Sequence, residues 1–229
     1  VLLQAARDAI VLIGGNHVLW LHPQPDARTE EAQFRCGPDS AVTAAAVNPA
    51  GRVVLGLTAA LPLPEKATGN LIVAEPQTRQ PLWSRPPWTE TDPPAAMEPG
   101  LYGPPAPKYE DRPLWAPLAV AIERAGQRVA AADYQGYERR FLPSGLRRAQ
   151  CYGVRFMPAR PVIQVYDEQG KLLRRWEPAT FAEPFWCDLS FSADGQTLIV
   201  VPHSWTCRGL AGQTILPADV AAQSLYLLN

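Results

Sequence analysis

Short runs of apolar residues, mostly β-branched or small, alternate with polar turns along the chain. Three segments share one form: an apolar run, a polar turn ending in glycine, and a second apolar run. They are Val42–Leu57, Leu118–Ala132 and Asp188–Val201, with turn glycines Gly51, Gly126 and Gly195. Glycine there supplies the positive φ that closes a hairpin. Runs of this composition suit buried strands. Each hairpin is followed by an apolar strand, a turn, and a strand that often ends in tryptophan. Asn70–Trp83 and Val162–Trp176 are two copies. His17–His22 with Glu30–Phe34 fits the same slot ahead of them, and Gln223–Asn229 fits the third strand after them. Helix is expected only as short turns at Ala5–Asp8 and Pro217–Ala222.

Four antiparallel strands per unit, repeated, is the plan of a β-propeller blade. One such meander cannot bury both faces, so the units must stack. The fold class expected is therefore all-β, a propeller-like stack of about four four-stranded antiparallel blades, forming part of a larger propeller. The approximate units are 1–40, 41–117, 118–186 and 187–229 in one domain. Unit 1 needs Val1–Leu3 as its innermost strand, and unit 4 lacks its last strand. The chain begins at Val1, and Tyr226–Asn229 reads as a break in mid-blade. A processed or excised chain is expected, completed by another chain or by further residues. The other closure left open is a four-bladed ring. The turn glycines lie 75 and 69 residues apart, against about 40–45 for a compact repeat. The excess is assigned to loops: a Pro-rich insertion at 85–113, and segments 136–161 and 203–222.

Composition narrows the classes. Proline fills 25 of 229 positions, which argues against a helical bundle, since an interior proline costs a helix about 3 kcal/mol. A net charge of −1 carries no electrostatic footprint for nucleic acid. No run approaches the roughly 18 apolar residues of a membrane span. High proline, alanine and arginine with few lysines points to a bacterial source. Four cysteines (Cys36, Cys151, Cys187, Cys207) form no CxxC, and their even number permits two disulfides. That possibility favours an extracytoplasmic location, periplasmic or secreted.

The stretch Phe191–Val200, with Ser224–Leu228 after it, resembles the "SPDG…I" and "LY" pattern of bacterial WD40-like repeats. At fold level most of the chain resembles the broad WD40-like and quinoprotein-like propeller superfamily. That resemblance implies binding of other proteins through loops and rims. Quinone-dependent members stack their cofactor on a tryptophan beside adjacent paired cysteines. No adjacent cysteines occur here, so no cofactor is expected.

No catalytic set assembles from the sequence. Gly-x-Ser-x-Gly, Gly-x-Gly-x-x-Gly and the P-loop are all absent. Glu30/Glu31, Glu90/Asp92 and Glu110/Asp111 fall at strand ends or in loops, where charges are solvated. His17, His22 and His203 are too scattered for zinc, and no metal is expected. Two clusters remain. In Pro202–Arg208, His203, Trp205 and Arg208 can contact a partner, and Cys207 can bridge to Cys187 on the preceding strand. In the proline-rich insertion, Trp88, Tyr102, Tyr109 and Trp115 offer either a sticky platform or packing onto the blades. A loop of about 30 residues is uncommon unless it is functional or held by a partner. The function expected is a non-enzymatic propeller scaffold or subunit-contacting module that binds a protein partner or second chain through its inserted loops. The alternatives are part of a propeller enzyme with an axial-channel site shared with another chain, or a glycan-binding propeller.

Overall fold

Alternation of apolar and polar residues does produce strands, and the turn residues close them into hairpins. In a computed structural model of the chain, the described residues are 2–14, 17–23, 29–35, 40–59, 70–76, 81–85, 109–141, 152–156, 161–177, 180, 186–203, 207–208, 214–215 and 226–228. Four antiparallel sheets follow one another in chain order. The first comprises β1 (Leu2–Ala5), β2 (Ile10–Gly14), β3 (His17–Pro23) and β4 (Thr29–Arg35). The second comprises β5 (Ser40–Val47), β6 (Val53–Ala59), β7 (Leu71–Ala74) and β8 (Trp83–Arg85). The third comprises β9 (Tyr109–Ile122), β10 (Arg128–Phe141), β11 (Tyr152–Phe156), β12 (Val162–Asp167) and β13 (Leu172–Trp176). In the fourth, β14 (Trp186–Phe191) and β15 (Leu198–His203) are followed by a small hairpin of β16 (Cys207–Arg208) and β17 (Thr214–Ile215). The chain then returns as β18 (Tyr226–Leu228) beside β15. The architecture is all-β and propeller-like, and among the described residues the fourth sheet has three strands.

The turn glycines do what the sequence requires of them. Gly51, Gly126 and Gly195 have φ of 83°, 78° and 68°. Their turns also set a common register. Asn48 N donates to Arg52 O at 3.0 Å, Glu123 N to Arg128 O at 2.9 Å, and Ser192 N to Thr197 O at 2.9 Å. Val53, Val129 and Leu198 therefore occupy one repeat position, and Val54, Ala130 and Ile199 the next. Successive side chains point to opposite faces, so the first set faces the preceding sheet and the second the following one. The shorter turn from Ala6 to Ala9 places Ile10 and Val11 at the same two positions in the first sheet.

Three apolar clusters join neighbouring sheets. Val11, Ile13, Val18, Trp20 and Phe34 of the first pack on Val53, Leu55, Leu57 and Ile72 of the second. Val54, Leu71 and Val73 of the second meet Val120, Val129, Ala131 and Tyr166 of the third. Ala130, Ala132, Tyr134 and Ile163 of the third meet Cys187, Leu198 and Val200 of the fourth. Among the described residues no such cluster joins the fourth sheet to the first. The first strands line the inside of the stack, with β9 against β5 on one side and β14 on the other. Thr43 in β5 and Leu118 in β9 each form a bulge at the same repeat position.

Three loop expectations are corrected. Tyr109–Pro113 is the start of β9 rather than irregular insertion. Within 136–161, residues to Phe141 continue β10, and Tyr152–Phe156 form β11. Within 203–222, Cys207–Arg208 and Thr214–Ile215 pair as a hairpin. Proline hid β9: Pro113 and Pro117 lie in a strand that, among the described residues, pairs on one edge only, where proline is tolerated. The short turn expected at Pro217–Ala222 lies outside the described residues.

Candidate functional site

Among the described residues, the largest polar group in the interior spans the boundary between the second and third sheets. Arg85 ends β8 and reaches over it. Its Nη2 meets Asp133 Oδ1 at 2.5 Å and its Nη1 meets Asp133 Oδ2 at 2.8 Å, a two-point ion pair. Nη1 also donates to Gln164 Oε1 at 2.7 Å and to the Tyr166 hydroxyl at 2.8 Å. Nε and Nη2 donate to Asn70 Oδ1 at 3.2 and 3.0 Å, and Tyr166 donates to Gln164 Oε1 at 2.5 Å. Asp133 is fully buried and the Arg85 side chain is 11% exposed. Burial by itself would lower the pKa of the Arg85 guanidinium, but Asp133 beside it outweighs that and holds the pKa above the ordinary value. Burial raises the Tyr166 hydroxyl, with Arg85 opposing. Trp83 flanks the group, its ring centroid 5.7 Å from that of Tyr166. It also lies under the Gly170 turn, where a Cβ would come within 2.8 Å of the indole. Every polar arm of Arg85 is met by protein, so the guanidinium fastens two blades together, while the buried Trp83 Nε1 beside it has no hydrogen-bond partner.

The hairpin turns make a second set of contacts between blades. Trp20 Nε1 of the first sheet donates to Gly51 O of the second at 2.7 Å. Arg52 Nη1 of the second donates to Gly126 O of the third at 2.7 Å, and its guanidinium also pairs with Glu75. In the next turn, Gly195 sits on Glu123 so closely that a Cβ would lie 1.9 Å from Oε1. Glu123 is buried, contacts Arg128 through Oε1 at 3.3 Å, and leaves Oε2 without a partner. Arg52 and Arg128 hold the same repeat position but differ in their contacts: Arg52 reaches the turn of the next blade, whereas Arg128 pairs with Glu123 of its own hairpin, and it is Glu123 that meets the following turn.

Clefts lie between sheets among the described residues. One of about 340 Å³ sits where β5, β9 and β14 end, lined by Asn48, Pro49, Ile122, Arg124, Leu189 and Ser192 among others. Arg124 is the one titratable side chain among the described lining residues. The other, about 380 Å³, lies between the third and fourth sheets, with Trp176, Phe191, Leu198 and Leu228 below Arg128 and Arg174. Among the described residues no group of three His, Cys, Asp or Glu could hold a metal ion. No helix among them is long and apolar enough to cross a membrane.

The expected bridge between Cys187 and Cys207 is corrected. Cys187 is a free, buried thiol that accepts a hydrogen bond from the Tyr134 hydroxyl at 3.3 Å. It faces inward, onto the third sheet, whereas Cys207 belongs to the separate β16–β17 hairpin. Burial pushes the Cys187 thiol up to about 12 and the Tyr134 hydroxyl well above its ordinary value.

The expected partner-binding residues fall partly inside and partly outside the described residues. Trp88, Tyr102 and Trp205 lie outside the described residues. Tyr109 and Trp115 are both on β9, opposite Phe141 and Gln135 of β10. His203 ends β15 opposite Trp186, and Arg208 lies in β16 opposite Thr214. What unites Tyr109 and Trp115 is an extension of the third sheet. β9 and β10 run for 14 residues each, against 8 and 7 for β5 and β6. β10 pairs with β12 only over Arg128–Asp133 and then with β11 over Gly136–Arg140. Beyond the blade proper, the hairpin is thus a three-stranded arm of Tyr109–Trp115, Gln135–Phe141 and Tyr152–Phe156.

No family profile matches this chain, and no curated protein matches it. Among solved structures, the chain is similar to Hsv2p of Kluyveromyces lactis, at 15% identity over 97% of this chain and 50% of that one, with a TM-score of 0.48. It is also similar to Hsv2 of Kluyveromyces marxianus, at 14% identity over 90% and 47%, with a TM-score of 0.39. A eukaryotic initiation factor follows at 10% identity over 87% and 47%, with a TM-score of 0.32. The chain spans about half the length of each of these structures.

Proposed function

We propose that this chain is a WD40-like propeller scaffold whose third blade presents the β9–β10–β11 arm to a protein partner. The observation that carries the reading is the arm itself. It is built from residues 109–115, 135–141 and 152–156, which include Tyr109, Trp115, Tyr137, Phe141, Tyr152 and Phe156 together with Arg112, Arg139, Arg140 and Arg155. Aromatic residues and arginine are the types enriched at interface cores and hot spots. A rigid blade secured by the Arg85 cluster gives such an arm a fixed base. The axial cleft, with a single guanidinium and no carboxylate among its described lining residues, supports binding rather than acid–base chemistry.

The test is co-purification. The unsubstituted chain should carry a second polypeptide from its native source. Tyr109→Ala and Trp115→Ala should each weaken that association at least tenfold, about 1.4 kcal/mol. Leu172→Ser, at an exposed position on β13, should leave it unchanged. Equal retention by all three variants, with circular dichroism confirming folded sheets, contradicts the reading.

A further inference from the structure

Four turns among the described residues carry a glycine of positive φ, and three of them are capped by their own side chains. In the Gly51 turn, Asn48 Oδ1 accepts from Ala50 N and Arg52 N at 3.1 and 2.9 Å. In the Gly170 turn, Asp167 Oδ1 accepts from Gln169 N and Lys171 N at 3.0 and 2.8 Å. In the Gly195 turn, Gln196 N donates to Asp194 Oδ1 and Thr197 N to Ser192 Oγ, both at 3.0 Å. Among the described residues the Gly126 turn has no such bond. Glu123 holds the position of Asn48 and Ser192 at its start, but its carboxylate is buried against Gly195 and Arg128 of the blade boundary. The next residue, Arg124, is exposed and has neither ion pair nor hydrogen bond among the described residues. Its side chain borders the axial cleft of about 340 Å³.

We propose that the axial cleft docks an acidic segment of a protein partner, with a glutamate or aspartate side chain of that segment paired to Arg124. Charge sets the choice of occupant. The described lining offers one guanidinium and no carboxylate to balance it. A guanidinium fork matches a carboxylate in two-point geometry, and the uncapped amides of the same turn add donors that favour an anion. One guanidinium balances one carboxylate, whereas a phosphate group carries about two charges and is held by arginine clusters. Small residues make the room: Ala46, Ala121 and Ala193 line the cleft, and Ile122 and Phe191 give it apolar walls for the neighbours of the acidic side chain. Its volume falls at the lower end of the roughly 300–1,000 Å³ of ligand sites. The lining comes from the second, third and fourth sheets, at the ends of β5, β9 and β14, and includes no residue of the first sheet or of β18. The site is also separate from the arm, since Tyr109–Trp115 begin β9 and Arg124 follows its other end.

Fluorescence anisotropy on the full chain tests this, with a fluorescein-labelled peptide of alternating glutamate and leucine as the probe. Saturable binding is expected, and the same peptide with glutamine for glutamate should not bind. Arg124→Gln should weaken binding at least tenfold. Ala193→Trp, at an exposed position of the lining, should do the same by filling the cleft. Arg174→Gln removes an exposed guanidinium from the cleft between the third and fourth sheets and should change nothing. Tyr109→Ala should change nothing either, which keeps the result independent of the arm. Circular dichroism confirms that each variant is folded. Absence of binding overturns the proposal, as does equal binding of the glutamine peptide. Equal losses in Arg124→Gln and Arg174→Gln overturn it in favour of diffuse charge attraction. Displacement of the peptide by free glutamate at the same concentration overturns it in favour of a small carboxylate. An Arg124→Cys variant that gains no thiol reactive to a charged methanethiosulfonate reagent shows the cleft covered, and overturns it too.

Discussion

Arg85 of the second sheet and Asp133 of the third meet through two hydrogen-bonded contacts, at 2.5 and 2.8 Å, in a place where Asp133 has no exposed surface. A buried pair of this kind is costly to break because the surviving charge is left in a low-dielectric interior. Asp133→Ala is expected to destabilise the protein by about 3–5 kcal/mol in urea unfolding, and Arg85→Ala by a similar amount. Arg85→Met combined with Asp133→Leu should recover much of the loss, since neither charge then remains. Additive losses in the double variant would show that the two side chains do not depend on each other.

The Gly195 turn is the most sterically constrained of the hairpins. Its φ is 68°, and an added Cβ would meet Glu123 Oε1 at 1.9 Å. Gly195→Ala should therefore cost more than about 1 kcal/mol, since the backbone region and the contact both oppose it. Adding Glu123→Ala to Gly195→Ala relieves the contact but leaves the backbone strain, so part of the loss should return. Thermal unfolding of the single and double variants measures this, and a neutral Gly195→Ala would exclude the packing of this turn on Glu123.

Gly56 tests the approach of the second and third sheets along the axis. A Cβ there would lie 2.6 Å from the Pro117 carbonyl oxygen, which also accepts a 2.7 Å hydrogen bond from Thr43 Oγ1. Gly56→Ala should push β9 away from β6 and weaken folding by about 1–3 kcal/mol, as overpacking does. Thr43→Val, which removes the hydrogen bond and keeps the shape, should cost about 1 kcal/mol.

Cys187 gives a pH dependence with a definite sign. Its thiol is raised from 9.0 to about 12 by burial, so the folded state favours the neutral form. Stability from this group is fully present below pH 9 and falls as pH rises toward 12, by up to about 1.4 kcal/mol per unit. Cys187→Ala should flatten the stability profile between pH 9 and 10, where Tyr134 and Tyr166, with an ordinary value of 10.0, each contribute less than the thiol. The native thiol should also react with iodoacetamide at pH 8 only as fast as the protein opens; immediate labelling would contradict its burial.

Much of this was legible from residue types alone. The three turn glycines mark hairpins because only a left-handed backbone closes them, and all three adopt it. Trp83 and Trp176 mark fourth strands because a large ring fits the outer part of a blade. The long strands of the arm were not legible, because Pro113 and Pro117 read as loop until the edge position of β9 is known. The Arg85 cluster was missed for a related reason: Arg85 begins a proline-rich segment and looks like loop. One signal could have found it. Asp133 follows Val129–Ala132 in an apolar strand, and a carboxylate there needs a buried cation. Which cation answers it is set by the stacking of the sheets, across 48 residues of chain.

The arm as a partner-binding element is tested most directly by photo-crosslinking in the native source. Tyr137→p-benzoylphenylalanine puts the probe on the arm, and Leu173→p-benzoylphenylalanine puts it at an exposed site on β13. The expected result is a covalent adduct from position 137 to a polypeptide other than this chain, and none from position 173. No adduct from the arm, or equal adducts from both positions, would contradict the scaffold reading.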